Sequence, residues 1–212
     1  MDVIGPSFIR ALCDAEVRTH PFRYLLLEDC LPESTVDAIA GLPFEIPQGL
    51  DFAGRREVNN SKRIYFNPPM RDLYPVCEDV AASFDSLVVR EALGRMAKCD
   101  LSGSLLRIEY CQDTDGFWLE PHTDIAVKRL TLLIYLSRDP ELADAGTDLY
   151  EGAPDFKHVG TAPYAPNAGL IFVPASDTWH GVERRKIHGV RKSIIVNYVT
   201  QDWRERWELC AR

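Results

Sequence analysis

Apolar residues in the first half of the chain recur mainly at helical spacing. The run FRYLLL, residues 22–27, predicts a first strand, and LPESTVDAIAGLP after it predicts a short helix that closes at Gly41. Between residues 70 and 98 the apolar positions repeat with a helical period, which predicts two amphipathic helices. The polar segment 51–63, DFAGRREVNNSKR, predicts an exposed loop that leads into a brief IYFN strand.

The pattern changes after Leu101, where short apolar runs alternate with turn signals. Eight runs predict strands: SLLRIEY, FWLEPH, RLTLLIYLS, TDLYEG, HVGTAPY, GLIFVPA, TWHGVE and RKSIIVNYVT. Because no helical pattern separates them, they favour an antiparallel jelly roll with the earlier helices packed on one sheet. We therefore predict one mainly β domain with N-terminal helices, composed of a support region (1–100), a β core (101–200) and a C-terminal extension (201–212).

Composition and charge narrow the possible classes of function. With 212 residues, 46% of them hydrophobic, the chain can bury one sizeable core. The formal net charge of -8 argues against general nucleic-acid binding, which needs an excess of basic residues. The start MDVIGPSFIR lacks a signal-peptide pattern, and no segment approaches the roughly 20 apolar residues of a membrane span. The six cysteines form no C-x-x-C pair, so we predict reduced thiols in a cytoplasmic protein.

Two separated motifs predict a metal site. In EPHTDIAVKRLTLLIYL, residues 120–136, His122 and Asp124 are two positions apart, so they can converge near a strand end. His180, in DTWHGVE, offers a third ligand from another predicted strand. Two imidazoles and one carboxylate are the facial ligand set of non-haem Fe(II) oxygenases. Zinc hydrolases use similar ligand types, so the three residues alone do not name the metal.

An anion site is predicted on the last strand, in HGVRKSIIVNYV. Arg191 opens this run, and Ser193, Ile195 and Asn197 share its face. A guanidinium can hold a carboxylate through two hydrogen bonds, and a neighbouring hydroxyl can add a third. A solvated surface charge is the alternative for Arg191, but the face that it shares favours the interior of the sheet structure.

These motifs, in this order, resemble those of the Fe(II)/2-oxoglutarate-dependent dioxygenase superfamily, in particular its prolyl-hydroxylase-like branch. The resemblance covers residues 103–200 and extends loosely to FRYLLLEDCLPESTVDAIAGL. It implies a double-stranded β-helix, a cupin-like jelly roll, with Fe(II) held by His122, Asp124 and His180. It further implies that 2-oxoglutarate is bound by Arg191, Ser193, Tyr110 and Tyr135, although core packing is an equal alternative for the two tyrosines.

The activity implied by the resemblance is hydroxylation of an unactivated C–H bond in a small molecule, a free amino acid or a peptidyl side chain. O2 is consumed, succinate and CO2 are released, and ascorbate is the expected reductant. The loop GRREVNNSKR and the last strand supply the substrate-binding candidates: Arg55, Asn59, Asn60, Lys62, Arg63 and Asn197. The basic side chains favour a substrate that carries a carboxylate or phosphate, although a solvated loop is the alternative.

Two other classes of function remain open at this point. One is a non-catalytic jelly-roll module that binds a small acid through Arg191. The other is a zinc hydrolase built on the same three metal ligands.

Overall fold

The computed structural model describes residues 2–49, 53–55 and 62–211. The helices in these ranges are α1 (Ile4–Cys13), α2 (Glu33–Ala40), α3 (Pro68–Leu73), α4 (Pro75–Asp85) and α5 (Leu87–Ala97). The strands are β1 (Glu16–Arg18), β2 (Tyr24–Leu27), β3 (Ile64–Tyr65), β4 (Leu105–Asp113), β5 (Leu119–His122), β6 (Lys128–Tyr135), β7 (Asp148–Tyr150), β8 (His158–Thr161), β9 (Gly169–Phe172), β10 (His180–Val182) and β11 (Arg191–Val199).

The strands form two antiparallel sheets in the described part of the chain. The larger sheet has the order β1-β2-β9-β6-β11-β4-β3, and the smaller has the order β5-β10-β7-β8. β11 is an interior strand of the larger sheet and pairs with β4 on one side and β6 on the other. Each of the eight runs predicted after Leu101 overlaps one of the strands β4 to β11, so the predicted β-rich half is confirmed.

The larger sheet lies between two apolar layers. Leu132 and Ile134 of β6 pack in the layer that the helices cover. Leu133 and Tyr135 of the same strand face the smaller sheet and pack in the second layer. This alternation follows from the two-residue period of a strand, and it gives a jelly-roll core with helices on one sheet, as the sequence predicts.

The helical region differs from the prediction in two places. Residues 68–97 form three helices, where the apolar pattern predicted two. Pro75 opens α4 and has no N–H with which to continue α3, while the Ser86 side chain caps α5 by accepting from the Val89 N–H. The N-terminal α1 and β1 also lie outside the predicted elements. No helix in the described ranges has both the length and the hydropathy to cross a membrane.

The helix-covered layer is expected to carry much of the folding stability. Phe84 of α4 is 1% exposed and packs edge-on against Phe8 of α1 with 4.8 Å between ring centroids. Phe84→Ala should lower the free energy of unfolding by about 3–5 kcal/mol, because it removes a large buried ring and leaves a cavity.

Leu87, which is 75% exposed on α5, provides the control. Leu87→Ala should change the free energy of unfolding by less than about 0.5 kcal/mol. Urea denaturation of both variants measures the difference. Similar losses in the two variants would contradict the burial of Phe84.

Candidate active site

The three predicted metal ligands meet where β5 pairs with β10. His122 is the last residue of β5 and His180 is the first residue of β10, and the antiparallel register places them opposite each other. Their ring centroids are 4.4 Å apart. Asp124 follows in the turn after β5, and ligand atoms of all three side chains lie within 4.8 Å of one another. The two side chains of the H-x-D motif therefore lie next to a histidine from a distant part of the chain.

Both imidazoles are held in the tautomer that suits a metal ligand. His122 Nδ1 lies 2.8 Å from the Glu120 carbonyl oxygen, and His180 Nδ1 lies 2.9 Å from that of Thr178. Because a carbonyl oxygen only accepts, Nδ1 is the protonated nitrogen in each ring and Nε2 carries the lone pair. Burial, followed by the neighbouring His122, lowers the pKa of His180 to about 4. His180 is therefore neutral at neutral pH.

Among the described residues, two donors orient the carboxylate of Asp124. The Thr131 hydroxyl donates to Oδ2 over 2.6 Å, and the Lys128 ammonium donates to Oδ1 over 2.5 Å. Asp124 and Lys128 have side chains that are only 4% and 5% exposed. These contacts hold the carboxylate beside the imidazoles. Metal ligands in proteins are usually oriented by hydrogen bonds from neighbouring groups of this kind.

Asn197 lies behind this carboxylate and does not line the pockets at the metal cluster. Its Nδ2 donates to Thr131 Oγ1 over 2.9 Å, and its Oδ1 accepts from Arg107 over 3.2 Å. The side chain is fully buried. The structure thus places Asn197 on the interior face, as predicted, but as a support for Asp124 through Thr131 and not in the lining of either pocket at the cluster.

A narrow cavity of about 40 Å³ extends from the metal cluster between the two sheets. Its lining includes His122 and His180 together with Arg63 and Arg191. Leu133 is among its apolar lining residues. One enclosed space therefore contacts both the candidate metal ligands and two guanidinium groups.

Arg191 is buried in this cavity, with 3% of its surface exposed. Its Nε donates to the Ala145 carbonyl over 2.6 Å, and its Nη1 donates to Asp113 over 2.8 Å. Within the described residues, Nη2 has no hydrogen-bond partner. Asp113 also contacts Arg63 over 3.3 Å, so two buried guanidinium groups share one carboxylate. The excess positive charge in this enclosed space favours an anionic ligand.

Ser193 and Tyr135 are neighbours of Arg191 on the same side of the larger sheet. Ser193 pairs with Cys111 and Tyr135 and is fully buried, and its hydroxyl has no hydrogen-bond partner in the part of the chain that the structure describes. Leaving a buried hydroxyl unpaired costs about 1–3 kcal/mol, which a bound ligand could recover. The Tyr135 hydroxyl lies 2.8 Å from Thr147 Oγ1, and its ring stands 5.6 Å from the Arg191 guanidinium.

Tyr110 lies on the opposite face of β4, away from the cavity. It pairs with Ile194 and packs in the helix-covered layer, where its ring is 6.2 Å from that of Phe44. Its neighbour Cys111 faces the smaller sheet instead. Tyr110 therefore does not line the cavity that contains Arg191, because the parity of β4 directs this residue to the helices.

The candidates in the 51–63 loop have different locations. Asn59 and Asn60 lie outside the described residues. Arg55 lines a second, outer pocket, and Lys62 is exposed. Arg63 is buried against Asp113, and it lines the narrow cavity with Arg191 and not the outer pocket. The loop is held next to β5 at Gly54, whose carbonyl accepts from the Glu120 N–H over 2.9 Å.

The outer pocket, about 430 Å³ in volume, opens beside the metal cluster and shares His122 and Asp124 with it. Arg107 lies in its wall, with its guanidinium 4.8 Å from the ring centroids of Tyr65 and Trp203. No local sequence pattern pointed to Arg107, because its partners come from distant parts of the chain.

Asp148, His158 and Glu183 form another group with metal-ligand chemistry. The carboxylate of Asp148 already accepts from Arg185, Thr161 and the Glu183 N–H at 2.5–2.7 Å, and it lies 3.1 Å from the His158 ring. Burial alone raises the pKa of Asp148, but these hydrogen bonds hold it below its ordinary value. Asp148 is therefore the buried centre of an ion-pair network whose other members, on β8 and after β10, are partly exposed.

Comparisons with known proteins agree with this geometry at the level of fold. No protein-family model matches the chain, and no curated protein sequence matches it. A Pseudomonas putida prolyl-4-hydroxylase structure is similar over 92% of this chain and 99% of its own, with a TM-score of 0.61 and 13% identity.

Two further structures illustrate the range of this similarity. A prolyl hydroxylase from Trichoplax adhaerens, in complex with a hypoxia inducible factor peptide fragment, has a TM-score of 0.59 and 14% identity, covering 94% of this chain and 90% of its own. The non-heme alpha ketoglutarate dependent epimerase SnoN has a TM-score of 0.57 and 15% identity, covering 92% and 83%. The chain therefore has the fold of prolyl-hydroxylase-like 2-oxoglutarate-Fe(II) oxygenases.

Proposed function

We propose that the protein is an Fe(II)- and 2-oxoglutarate-dependent dioxygenase that hydroxylates a C–H bond of a small molecule, a free amino acid or a peptidyl side chain. The observation that carries this proposal is one cavity lined by His122 and His180 and by the buried Arg191. The fold shared with prolyl hydroxylases supports the class of reaction. The peptide bound to one of those hydroxylases supports including peptidyl substrates.

The residues at the cluster fit an iron site. Two imidazoles and one carboxylate leave coordination positions open, whereas a structural zinc site usually has four protein ligands. His122, Asp124 and His180 would hold the metal. Iron, when bound, supplies the coupled oxidation of 2-oxoglutarate and substrate by O2, with ascorbate as the proposed reductant.

The chain's own residues bind and orient the co-substrate. Arg191 Nη2 and Ser193 Oγ offer hydrogen bonds to the carboxylate of 2-oxoglutarate that lies far from the metal. Asp113 and Ala145 fix the Arg191 guanidinium from behind, so it loses little freedom on binding. Leu133 and Ile195 line the cavity between the histidines and Arg191, and their apolar side chains exclude water from it.

Binding of 2-oxoglutarate can be measured through the visible charge-transfer band that a keto acid produces when it chelates Fe(II). The anaerobic protein with Fe(II) should show this band on titration with 2-oxoglutarate. Arg191→Ala should raise the dissociation constant about 10- to 100-fold, because charge-assisted hydrogen bonds worth about 1.5–3 kcal/mol are lost.

Arg138 is the matched control, because it is half exposed and paired with Glu33 and Asp37 outside the cavity. Arg138→Ala should leave the titration unchanged. A band absent from the unmodified protein would overturn the proposed reaction class. Binding of 2-oxoglutarate without Fe(II) and without the band would favour the acid-binding module.

The metal ligands are tested by turnover. His180→Ala should reduce Fe(II)-dependent conversion of 2-oxoglutarate to succinate to the background rate, because one of three protein bonds to the metal is lost. His188, which is exposed beside Glu141, provides the control, and His188→Ala should retain the rate. Undiminished succinate formation in His180→Ala would exclude His180 as a ligand.

Because Thr131 supports Asp124 and does not itself bind the metal, its substitution should change metal affinity while all three ligands remain. Thr131→Val removes the hydroxyl that bonds Asp124 Oδ2, and it should weaken Mn(II) or Co(II) binding about 10- to 100-fold in calorimetric titrations. Thr161→Val removes a comparable bond to Asp148, away from the cluster, and should leave metal affinity unchanged. Equal affinities in the two variants would show that Thr131 does not position the ligand.

A further inference from the structure

We infer that Arg63 is a positioning residue for 2-oxoglutarate, which pairs with Asp113 and so leaves the charge of Arg191 to the far carboxylate of the co-substrate. This inference rests on the proposed function, because it concerns the co-substrate of the proposed reaction. The sequence predicts Arg63 among the substrate-binding candidates, but the structure places it in the narrow cavity beside Arg191.

The pairing of β3 with β4 directs Arg63 into this cavity. The two strands are antiparallel, with Ile64 opposite Tyr110. Both of these residues pack in the helix-covered layer, so Arg63, one position earlier, points to the other side of the sheet. The next pair in the same register is Arg63 with Cys111, which faces the smaller sheet. The alternation of the chain at β3 therefore places a guanidinium between the two sheets.

Several contacts hold Arg63 in place. Its Nη1 lies 3.3 Å from Asp113 Oδ1, and its side chain is only 6% exposed. Its guanidinium stands 5.8 Å from the centroid of the Phe117 ring and also contacts the Cys111 thiol. Because a guanidinium does not lose its proton in proteins, Arg63 keeps a full positive charge beside Asp113.

Arg191 approaches the same carboxylate from the other side. Its Nη1 donates to Asp113 Oδ2 over 2.8 Å, while Arg63 contacts Oδ1. Apart from the two histidines, the ionisable side chains in the described lining of the cavity are Arg63, Asp113 and Arg191. Two guanidinium groups and one carboxylate leave one positive charge, which one carboxylate of the co-substrate would balance.

The charge balance would be unfavourable without Arg63. Asp113 and Arg191 alone are a neutral pair, so a bound carboxylate would bring an uncompensated negative charge close to that of Asp113. Like charges repel strongly where water is excluded, and a buried charge without a partner is costly. Arg63 therefore favours co-substrate binding through Asp113, without a contact of its own to 2-oxoglutarate.

Substitutions that change one charge at a time test this role. 2-Oxoglutarate is titrated into the anaerobic protein with Fe(II), and binding is followed by the charge-transfer band. Arg63→Met should raise the dissociation constant about tenfold or more, because a buried carboxylate loses its compensating charge. Asp113→Asn, with Arg63 intact, should bind 2-oxoglutarate at least as tightly as the unmodified protein, because it keeps an oxygen for Arg191 and loses the opposing charge.

The double variant Arg63→Met/Asp113→Asn shows how Arg63 acts. It removes one charge of each sign, so Arg191 again provides one positive charge for the co-substrate. Its dissociation constant should return to within about threefold of the unmodified value, because the two substitutions are coupled through one ion pair. Neither a purely structural role of Arg63 nor its direct contact with 2-oxoglutarate would give this recovery.

A keto acid without the far carboxylate separates the effect of charge from that of packing. 2-Oxohexanoate has an ethyl group in place of that carboxylate and chelates Fe(II) through the same keto acid group. Arg63→Met and the unmodified protein should bind it with affinities that agree within about twofold, because no second negative charge enters the cavity. Equal weakening for the two keto acids would show general damage to the site and would overturn the inference.

Arg71 is the matched control, because its side chain is 12% exposed and pairs with Glu78 over 2.9 Å, away from the lining of the cavity. Arg71→Met should leave both titrations unchanged.

The outcomes separate this inference from the proposed function. A charge-transfer band missing from the unmodified protein would contradict the proposed function before any variant is compared. A normal band with equal 2-oxoglutarate affinity in Arg63→Met would overturn the inference alone. So would weaker binding by Asp113→Asn, or a double variant that binds as weakly as Arg63→Met.

Discussion

The register of β11 between β4 and β6 is the constraint on which the site depends. Every second residue of β11 faces the smaller sheet, so the pairing places Arg191 opposite Asp113 and Ser193 opposite Tyr135. The same register brings Asn197 to Thr131 and thereby to the carboxylate of Asp124. A shift by one residue would turn all of these polar groups into the helix-covered layer. The alternation of side chains along β11 and β6 therefore keeps Arg191, Ser193 and the residues that support Asp124 on the same face of the larger sheet.

Buried charge is distributed unequally along the site. Arg63 and Arg191 share the carboxylate of Asp113, which leaves an excess positive charge in the narrow cavity. Glu109 and Glu208 share the guanidinium of Arg107 in the wall of the outer pocket. The candidate metal ligands lie between these clusters. A dicarboxylate bound at Arg191 would compensate the excess positive charge of the narrow cavity.

The sequence predicted those parts of the structure that depend on local spacing. The H-x-D pair and the alternation of Arg191 with Ser193 follow from strand periodicity. The structure groups His122, Asp124 and His180 and places both histidines in one cavity with Arg191. Partners contributed by other strands were not predictable, because no pattern in β4 shows that Asp113 will face Arg191 or that Arg107 will meet Glu208. Tyr110 shows the same limit: its face depends on the register of β4, which the sequence of that strand alone leaves undetermined.

We propose above all that His122, Asp124 and His180 hold a metal beside the site where Arg191 binds a carboxylate of 2-oxoglutarate. The most direct measurement is a crystal structure with Mn(II) and N-oxalylglycine, an unreactive analogue of 2-oxoglutarate, with anomalous data that locate the manganese. The account predicts one strong anomalous peak bound by both Nε2 atoms and by Asp124, with the far carboxylate of the analogue on Arg191 and Ser193. A peak elsewhere, or an analogue that lies away from Arg191, would contradict it.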